Sequence, residues 1–124
     1  MIQHSVFATN IFVEDDFIDK SISSDMKQYI EQMWTIREYD NNWQTEPDLH
    51  TKPAFKKFAE KVIQKSKEQI KLLDYDVEDI AITDMWGNVL RNKEAHPPHT
   101  HSNNFLSGVY YLCLLYTSPS PRDS

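Results

Sequence analysis

Glu94-Ala95-His96-Pro97-Pro98-His99-Thr100-His101-Ser102-Asn103-Asn104-Phe105-Leu106-Ser107-Gly108-Val109-Tyr110-Tyr111-Leu112 is the stretch around which this chain reads. Three of the five histidines fall between positions 96 and 101, and two prolines stiffen the backbone between His96 and His99. A short polar turn follows, then an apolar run rich in strand formers. Ligand-type residues leading into a buried strand are the pattern of a metal-binding sheet edge.

Spacing narrows the choice of ligands. Side chains two apart on an extended strand point to the same face, so His99 and His101 can reach one ion. His96 and His99 stand three apart across Pro97-Pro98, and a polyproline II segment of three residues per turn would align those two as well. One straight segment is not expected to give all three to one ion, and the strand continues beyond His99 and His101, which favours that pair. Imidazole suits iron, zinc, copper and nickel, so the pair alone does not choose the metal. The plainer alternative is a histidine-rich surface loop.

Working back from this stretch, the period of two at Ile80, Ile82 and Trp86 on one side, with Ala81, Thr83 and Met85 on the other, predicts a strand from Val77. Gly87 interrupts it, as at a bulge or a close backbone approach, and Asn88-Val89-Leu90 resumes it. Beyond the turn at Ser102-Asn103-Asn104, Phe105 to Leu112 are expected to form the next strand. Ser107, Val109 and Tyr111 share one face of it, and Gly108, Tyr110 and Leu112 the other.

Upstream, residues 53 to 73 predict a helix. Proline is tolerated in a first helical turn, and Phe55, Phe58, Ala59, Val62, Ile63, Ile70 and Leu73 form one apolar stripe. The lysines opposite, interspersed with Glu60 and Glu68, read as a solvated face and not as a nucleic-acid surface. Residues 38 to 52 are a long polar connection in which Trp43 argues for packing onto the domain; His50 reads there as a polar loop residue. A further helix is expected from about Ser24 to Arg37, with Ser24 or Asp25 as its cap, and a strand over residues 5 to 13. The element order is an α+β pattern with helices supporting a sheet.

Composition sets the outer limits. A chain of 124 residues is one domain at most. Two glycines are few for the turns of a complete all-β domain. A net charge of −6 argues against nucleic acid or an anionic membrane as the main partner. No apolar run approaches the roughly 20 residues that span a bilayer, and Met1-Ile2-Gln3-His4-Ser5 lacks the layout of a signal peptide. Cys113 is the single cysteine, so no intrachain disulfide is possible and a reducing cytoplasm is expected.

Three segments together resemble a family of iron- and 2-oxoglutarate-dependent oxygenases common in phage and marine bacterial genomes: Trp43-Gln44-Thr45 with Asp48-Leu49, Trp86-Gly87-Asn88-Val89, and His96 through Leu112. The last is the specific one, and the resemblance covers most of residues 5 to 112. It implies N-terminal helices packed on a double-stranded β-helix, or jelly-roll, core, of which this chain would hold the first part. It implies Fe(II) as cofactor and 2-oxoglutarate as co-substrate, with oxoglutarate decarboxylated to succinate as a substrate, small molecule or protein, is hydroxylated. No residue identifies that substrate.

The superfamily's iron motif is His-x-Asp/Glu, with a second His and then an Arg far downstream. His99 matches the first ligand. His101 stands where the carboxylate usually stands, a departure that would leave the iron one unit more positive. Tyr111 lies where related oxygenases often turn a tyrosine toward the oxoglutarate; alternatively it is a core strand aromatic.

Residues 113–124, Cys-Leu-Leu-Tyr-Thr-Ser-Pro-Ser-Pro-Arg-Asp-Ser, resemble the translation of a transposase adapter used in DNA sequencing and are set aside as an artefactual tail. On that reading residues 1–112 are the N-terminal portion of one oxygenase domain. The distal His, the oxoglutarate-binding Arg and the closing strands would lie in sequence beyond it, and this chain alone would be inactive. Readings of other classes are a non-catalytic cupin-like metal or ligand binder, although the Glu of a cupin motif is replaced by Phe105 and Leu106, and a phage accessory protein.

Overall fold

The computed structural model describes residues 1–2, 10–36, 43–89 and 105–112. Among them the architecture is α+β: helix α1 (Lys20–Ile36), strand β1 (Trp43–Gln44), helix α2 (Lys56–Leu72) and strand β2 (Asn88–Val89), with 3₁₀ turns at Leu49–Thr51 and Pro53–Phe55. The core is built from Met26 of α1, Leu49 and Phe55 of the 3₁₀ turns, and Phe58 of α2.

Helix α1 buries the face that its sequence spacing marks. Met26 is buried, and Ile22, Tyr29 and Ile30 pack around it. Tyr29 meets Phe55 edge-on, ring centroids 5.6 Å apart. The helix begins four residues before the expected start, so Ser24 and Asp25 lie inside it and cap nothing. The Ser23 amide donates to the Asp19 carbonyl at 3.1 Å, and the Ser23 hydroxyl to the Lys20 carbonyl, also at 3.1 Å. A serine that bonds back to its own helix is compatible with a helical position, and the added turn gives Ile22 its place on the core.

The second expected helix is present in two parts. Pro53 opens a 3₁₀ turn, as a residue that lacks an amide can. Phe55, at φ −106° and ψ 0°, then separates that turn from α2. Phe55, Phe58, Ala59 and Ile70 are buried, with Val62 and Ile63 partly so, which is the expected stripe. At its end α2 closes in a Schellman turn. The Asp74 amide donates to the Lys71 carbonyl at 3.0 Å and the Tyr75 amide to the Ile70 carbonyl at 3.2 Å. Asp74 takes the left-handed conformation there, at φ 62°.

The connection between the helices is organised. Strand β1 pairs antiparallel with β2, Trp43 opposite Val89 and Gln44 opposite Asn88. Asp48 and Met85 form a parallel bridge just beyond. Trp43, Thr45 and Leu49 are buried, so the long polar segment lies on the domain, as Trp43 suggested.

The expected strands are shorter or absent among the described residues. Residues 10–13 are irregular and exposed, and residues 3–9, the rest of the first expected strand, lie outside the described set. From Val77 to Asp84 no ladder forms, although Ile80 and Ile82 are partly buried while Ala81 and Thr83 are exposed. Met85 departs from the expected sides and packs on the core. Residues 105–112 are irregular; residues 105–108 are exposed, and only 109–112 alternate, with Tyr110 and Leu112 packed on the core and Val109 and Tyr111 exposed. Among the described residues no helix is long and apolar enough to cross a membrane.

Candidate functional site

His96, His99 and His101 lie outside the described residues, as do Leu90, Cys113 and the remainder of the tail. The structure describes both flanks of the histidine stretch: β2 before it and Phe105 to Leu112 after it.

The upstream flank is held by a lattice of hydrogen bonds to the segment after β1. The Thr45 amide donates to the Gly87 carbonyl at 2.9 Å, and the Gly87 amide donates to the Thr45 hydroxyl at 3.0 Å. That hydroxyl in turn donates to the Glu46 carbonyl at 2.9 Å. Thr45 is only 6% exposed, and these bonds satisfy a hydroxyl that burial would otherwise penalise. Two residues on, the Met85 amide donates to the Pro47 carbonyl at 2.9 Å and the Leu49 amide to the Met85 carbonyl at 3.0 Å. The segments Trp43-Gln44-Thr45…Asp48-Leu49 and Trp86-Gly87-Asn88-Val89, separate in sequence, are therefore one structural unit. Gly87 stands at a close approach: a Cβ there would lie 2.7 Å from Ile30 Cδ1, the tip of a side chain that would have to shift, and 3.6 Å from Leu49 Cδ1.

The downstream flank rests on aromatic rings. Tyr110 lies 5.2 Å from the Phe58 ring and 6.2 Å from the Phe17 ring. Phe105 meets Tyr75 edge-on at 5.3 Å, on the surface. Tyr111 is 53% exposed, so the core aromatic of this segment is Tyr110, and Tyr111 looks outward.

Residues 84–119 match the model of a family described as "Putative 2OG-Fe(II) oxygenase". Over this stretch the chain is similar to that family. No curated protein and no solved structure matches the chain. The oxygenase match begins at Asp84, takes in β2 and the histidine stretch, and runs through residue 119 into the segment read above as a tail. It does not reach Trp43 or Thr45, which the fold nevertheless hydrogen-bonds to the matched stretch.

Among the described residues no group of three or more His, Cys, Asp or Glu could hold a metal ion. Were Fe(II) bound, the imidazoles of the histidine stretch would be its candidate donors. Their chemistry fits the nitrogen part of a facial triad, while the carboxylate of the usual triad has no counterpart at His101. His50 follows the buried Leu49, and its Nδ1 is buried with no hydrogen-bond partner among the described residues.

Sequence reasoning missed the segment before α1. The Lys65 ammonium lies 3.1 Å from Glu14 and 3.5 Å from Glu68, and the hydrogen bond and charge of Glu14, aided by Glu68, raise its pKa above the ordinary lysine value. The Lys61 ammonium sits 5.3 Å over the Phe17 ring. Two of the lysines read as solvated thus hold the incoming chain. A carboxylate at 14 and an aromatic at 17 were the available signal, uninterpretable without knowing which helix they meet.

Proposed function

We propose that the chain serves a 2-oxoglutarate- and Fe(II)-dependent hydroxylase, with His99 and His101 as metal ligands and Tyr111 turned toward the oxoglutarate. The observation that carries this reading is the family match over residues 84–119, which contains the His-Pro-Pro-His-Thr-His run. The flanks support it: the described segment before the run, through Val89, is hydrogen-bonded to the segment after β1, and the described segment after it, from Phe105, is seated on α2 through Tyr110. A metal site needs such fixed supports, because ligand positions must hold within a few tenths of an ångström.

Bound Fe(II) with oxoglutarate would supply dioxygen activation. That chemistry would couple conversion of oxoglutarate to succinate and carbon dioxide with hydroxylation of the substrate, one oxygen atom going to each of succinate and the hydroxylated product. The chain's own part is to hold the metal through two neutral imidazoles and to present Tyr111, whose phenol can donate a hydrogen bond to a carboxylate. In the same reading β1, β2 and residues 105–112 belong to a jelly-roll core, with α1 and α2 on its outside. The protein would work in the cytoplasm, and its acidic net charge directs the substrate search to small molecules and proteins before nucleic acids.

The test is an anaerobic titration with Fe(II) followed by 2-oxoglutarate, read by visible absorption of the ternary complex. Succinate formation in air is measured in parallel, on this chain and on the longest reading frame that contains it. His99→Ala and His101→Ala should abolish the absorption, and His96→Ala should retain it. Loss with His96→Ala but not with His99→Ala would overturn the ligand assignment. Metal binding with no response to oxoglutarate and no succinate from either protein would overturn the oxygenase reading in favour of a metal-binding protein.

A further inference from the structure

We infer that the cleft where the chain turns back along the end of α2 is a self-association surface, and that its occupant is a second copy of this chain related by a two-fold axis. The inference stands independently of the oxygenase reading, since it uses only residues 67–79 and Phe105.

The Schellman turn at Asp74 reverses the chain, and the Lys67 ammonium, 3.4 Å from Asp79, holds the returning segment beside the helix. Between them lies a cleft of about 170 Å³. Ile70, Tyr75 and Val77 line it, with Lys67 and Lys71 contributed by α2 and Glu78 by the returning segment. Ile70 is buried, but Tyr75 and Val77 are exposed, as is Phe105, whose ring stands edge-on to Tyr75 at 5.3 Å. Exposed apolar groups rimmed by charge are the anatomy of a protein contact. A space of this size is small for a drug-sized ligand, which takes roughly 300 Å³ or more; it suits a side chain of a partner.

The rim carries both signs in separate rows. Residues 74–79 bring four carboxylates, Asp74, Asp76, Glu78 and Asp79, and no base, whereas α2 brings six lysines against two glutamates. Lys71, Asp76 and Glu78 form no ion pair with any described residue. A polyanion seated here would meet the carboxylate row, a polycation would meet the lysines, and a neutral apolar partner would leave both rows unmatched. A second copy turned by a two-fold axis through Tyr75 and Val77 lays each row on the opposite row of its partner, so the surface is complementary to itself. The chain's net charge of −6 opposes approach at long range, and the attraction therefore comes from the apolar centre and these two matched rows.

Sedimentation velocity on the full 124-residue chain over a concentration series is the test, with far-UV circular dichroism confirming that each variant keeps its helices. The native chain should form a dimer. Val77→Asp, at an exposed position, should raise the dissociation constant on the order of tenfold or more by placing a charge in the apolar centre. Lys71→Glu alone and Glu78→Lys alone should each weaken self-association, since each puts like charges across the axis. An equimolar mixture of those two variants should dimerise again, because each altered row then faces its opposite in the other chain. That recovery cannot arise within one chain. A native chain that stays monomeric overturns the proposal. A native dimer indifferent to Val77→Asp, or charge variants that fail to recover on mixing, would place the contact elsewhere and overturn it as well.

Discussion

Thr45 and Gly87, 42 positions apart, are joined twice: amide to carbonyl at 2.9 Å in one direction and amide to side-chain hydroxyl at 3.0 Å in the other. The second bond is sequence-specific, because only a side chain with an acceptor at 45 can receive the Gly87 amide. Thr45→Val keeps shape and β-branching but leaves that partly buried amide without its acceptor. It should cost about 1–3 kcal/mol. Thr45→Ser, which keeps the hydroxyl, should cost clearly less. Urea unfolding of the three proteins checks this, and equal losses for Val and Ser would mean that methyl packing is what matters at 45.

Gly87 carries a second expectation from the same unit. A Cβ there would meet Ile30 Cδ1 at 2.7 Å and Cγ1 at 3.3 Å, so the helix side chain must give way. Gly87→Ala should destabilise by about 1–3 kcal/mol through overpacking. Ile30→Val deletes the nearer atom, so the double variant should lose less than the sum of the single ones. Additive losses would place the strain in the backbone at 87 and not in the contact with Ile30.

Phe58 ties the core to the segments on either side of it in sequence, buried at 8% exposure and touching both Phe17 and Tyr110. Phe58→Ala should cost about 3–5 kcal/mol. A loss below about 1 kcal/mol in chemical denaturation would show that the stripe of α2 is not core.

The stripe of α2 was legible because a helical period survives any tertiary arrangement. Gly87 was legible for a related reason, since a glycine within an apolar alternation has few uses other than a bulge or a close approach. The pairing of Trp43-Gln44 with Asn88-Val89 was not legible: two-residue strands joined by backbone hydrogen bonds carry no side-chain period. The alternation at 80–83 was read as a strand because it reports which sides are buried, and it does so correctly. It does not report ladder bonds, and none forms there among the described residues. After the histidine stretch, the expected alternation is seen only over 109–112, with Tyr110 inward and Tyr111 outward, while 105–108 are all exposed. The supports from Glu14 and Phe17 did not, since they depend on where a segment outside any helix or strand comes to rest.

Asp79 supplies a pH expectation. The Ile80 amide, donating at 2.9 Å, and then the Lys67 ammonium at 3.4 Å hold its carboxyl below the ordinary value of 3.8. A depressed folded-state pKa means that its stabilising contribution is present above the ordinary value and is lost as pH falls through the folded one. Comparing stability with pH for the native chain and Asp79→Asn should show the native advantage at neutral pH fading in acid. The advantage should also shrink with added salt, because Asp79 and Lys67 are both exposed. A difference that grows on acidification would contradict the sign.

Asp74 is the position where the chain invites improvement. Its φ of 62° is the left-handed conformation of the Schellman turn, which glycine adopts without the steric cost borne by a Cβ. Its carboxylate also stands at the negative end of the α2 dipole. Asp74→Gly should therefore stabilise the protein by about 0.5–1 kcal/mol, the gain being limited by the greater freedom of glycine in the unfolded chain. Asp74→Ala removes the same charge but keeps a Cβ in the left-handed region, so it should gain nothing or lose stability. If Ala stabilises as much as Gly in thermal unfolding, the charge and not the backbone is responsible. The turn also sets the direction of Tyr75, on which Phe105 rests at the near end of the site segment. The glycine variant should accordingly slow hydrogen exchange at the Tyr75 amide, whose bond to the Ile70 carbonyl closes the turn, while Asp74→Ala should not.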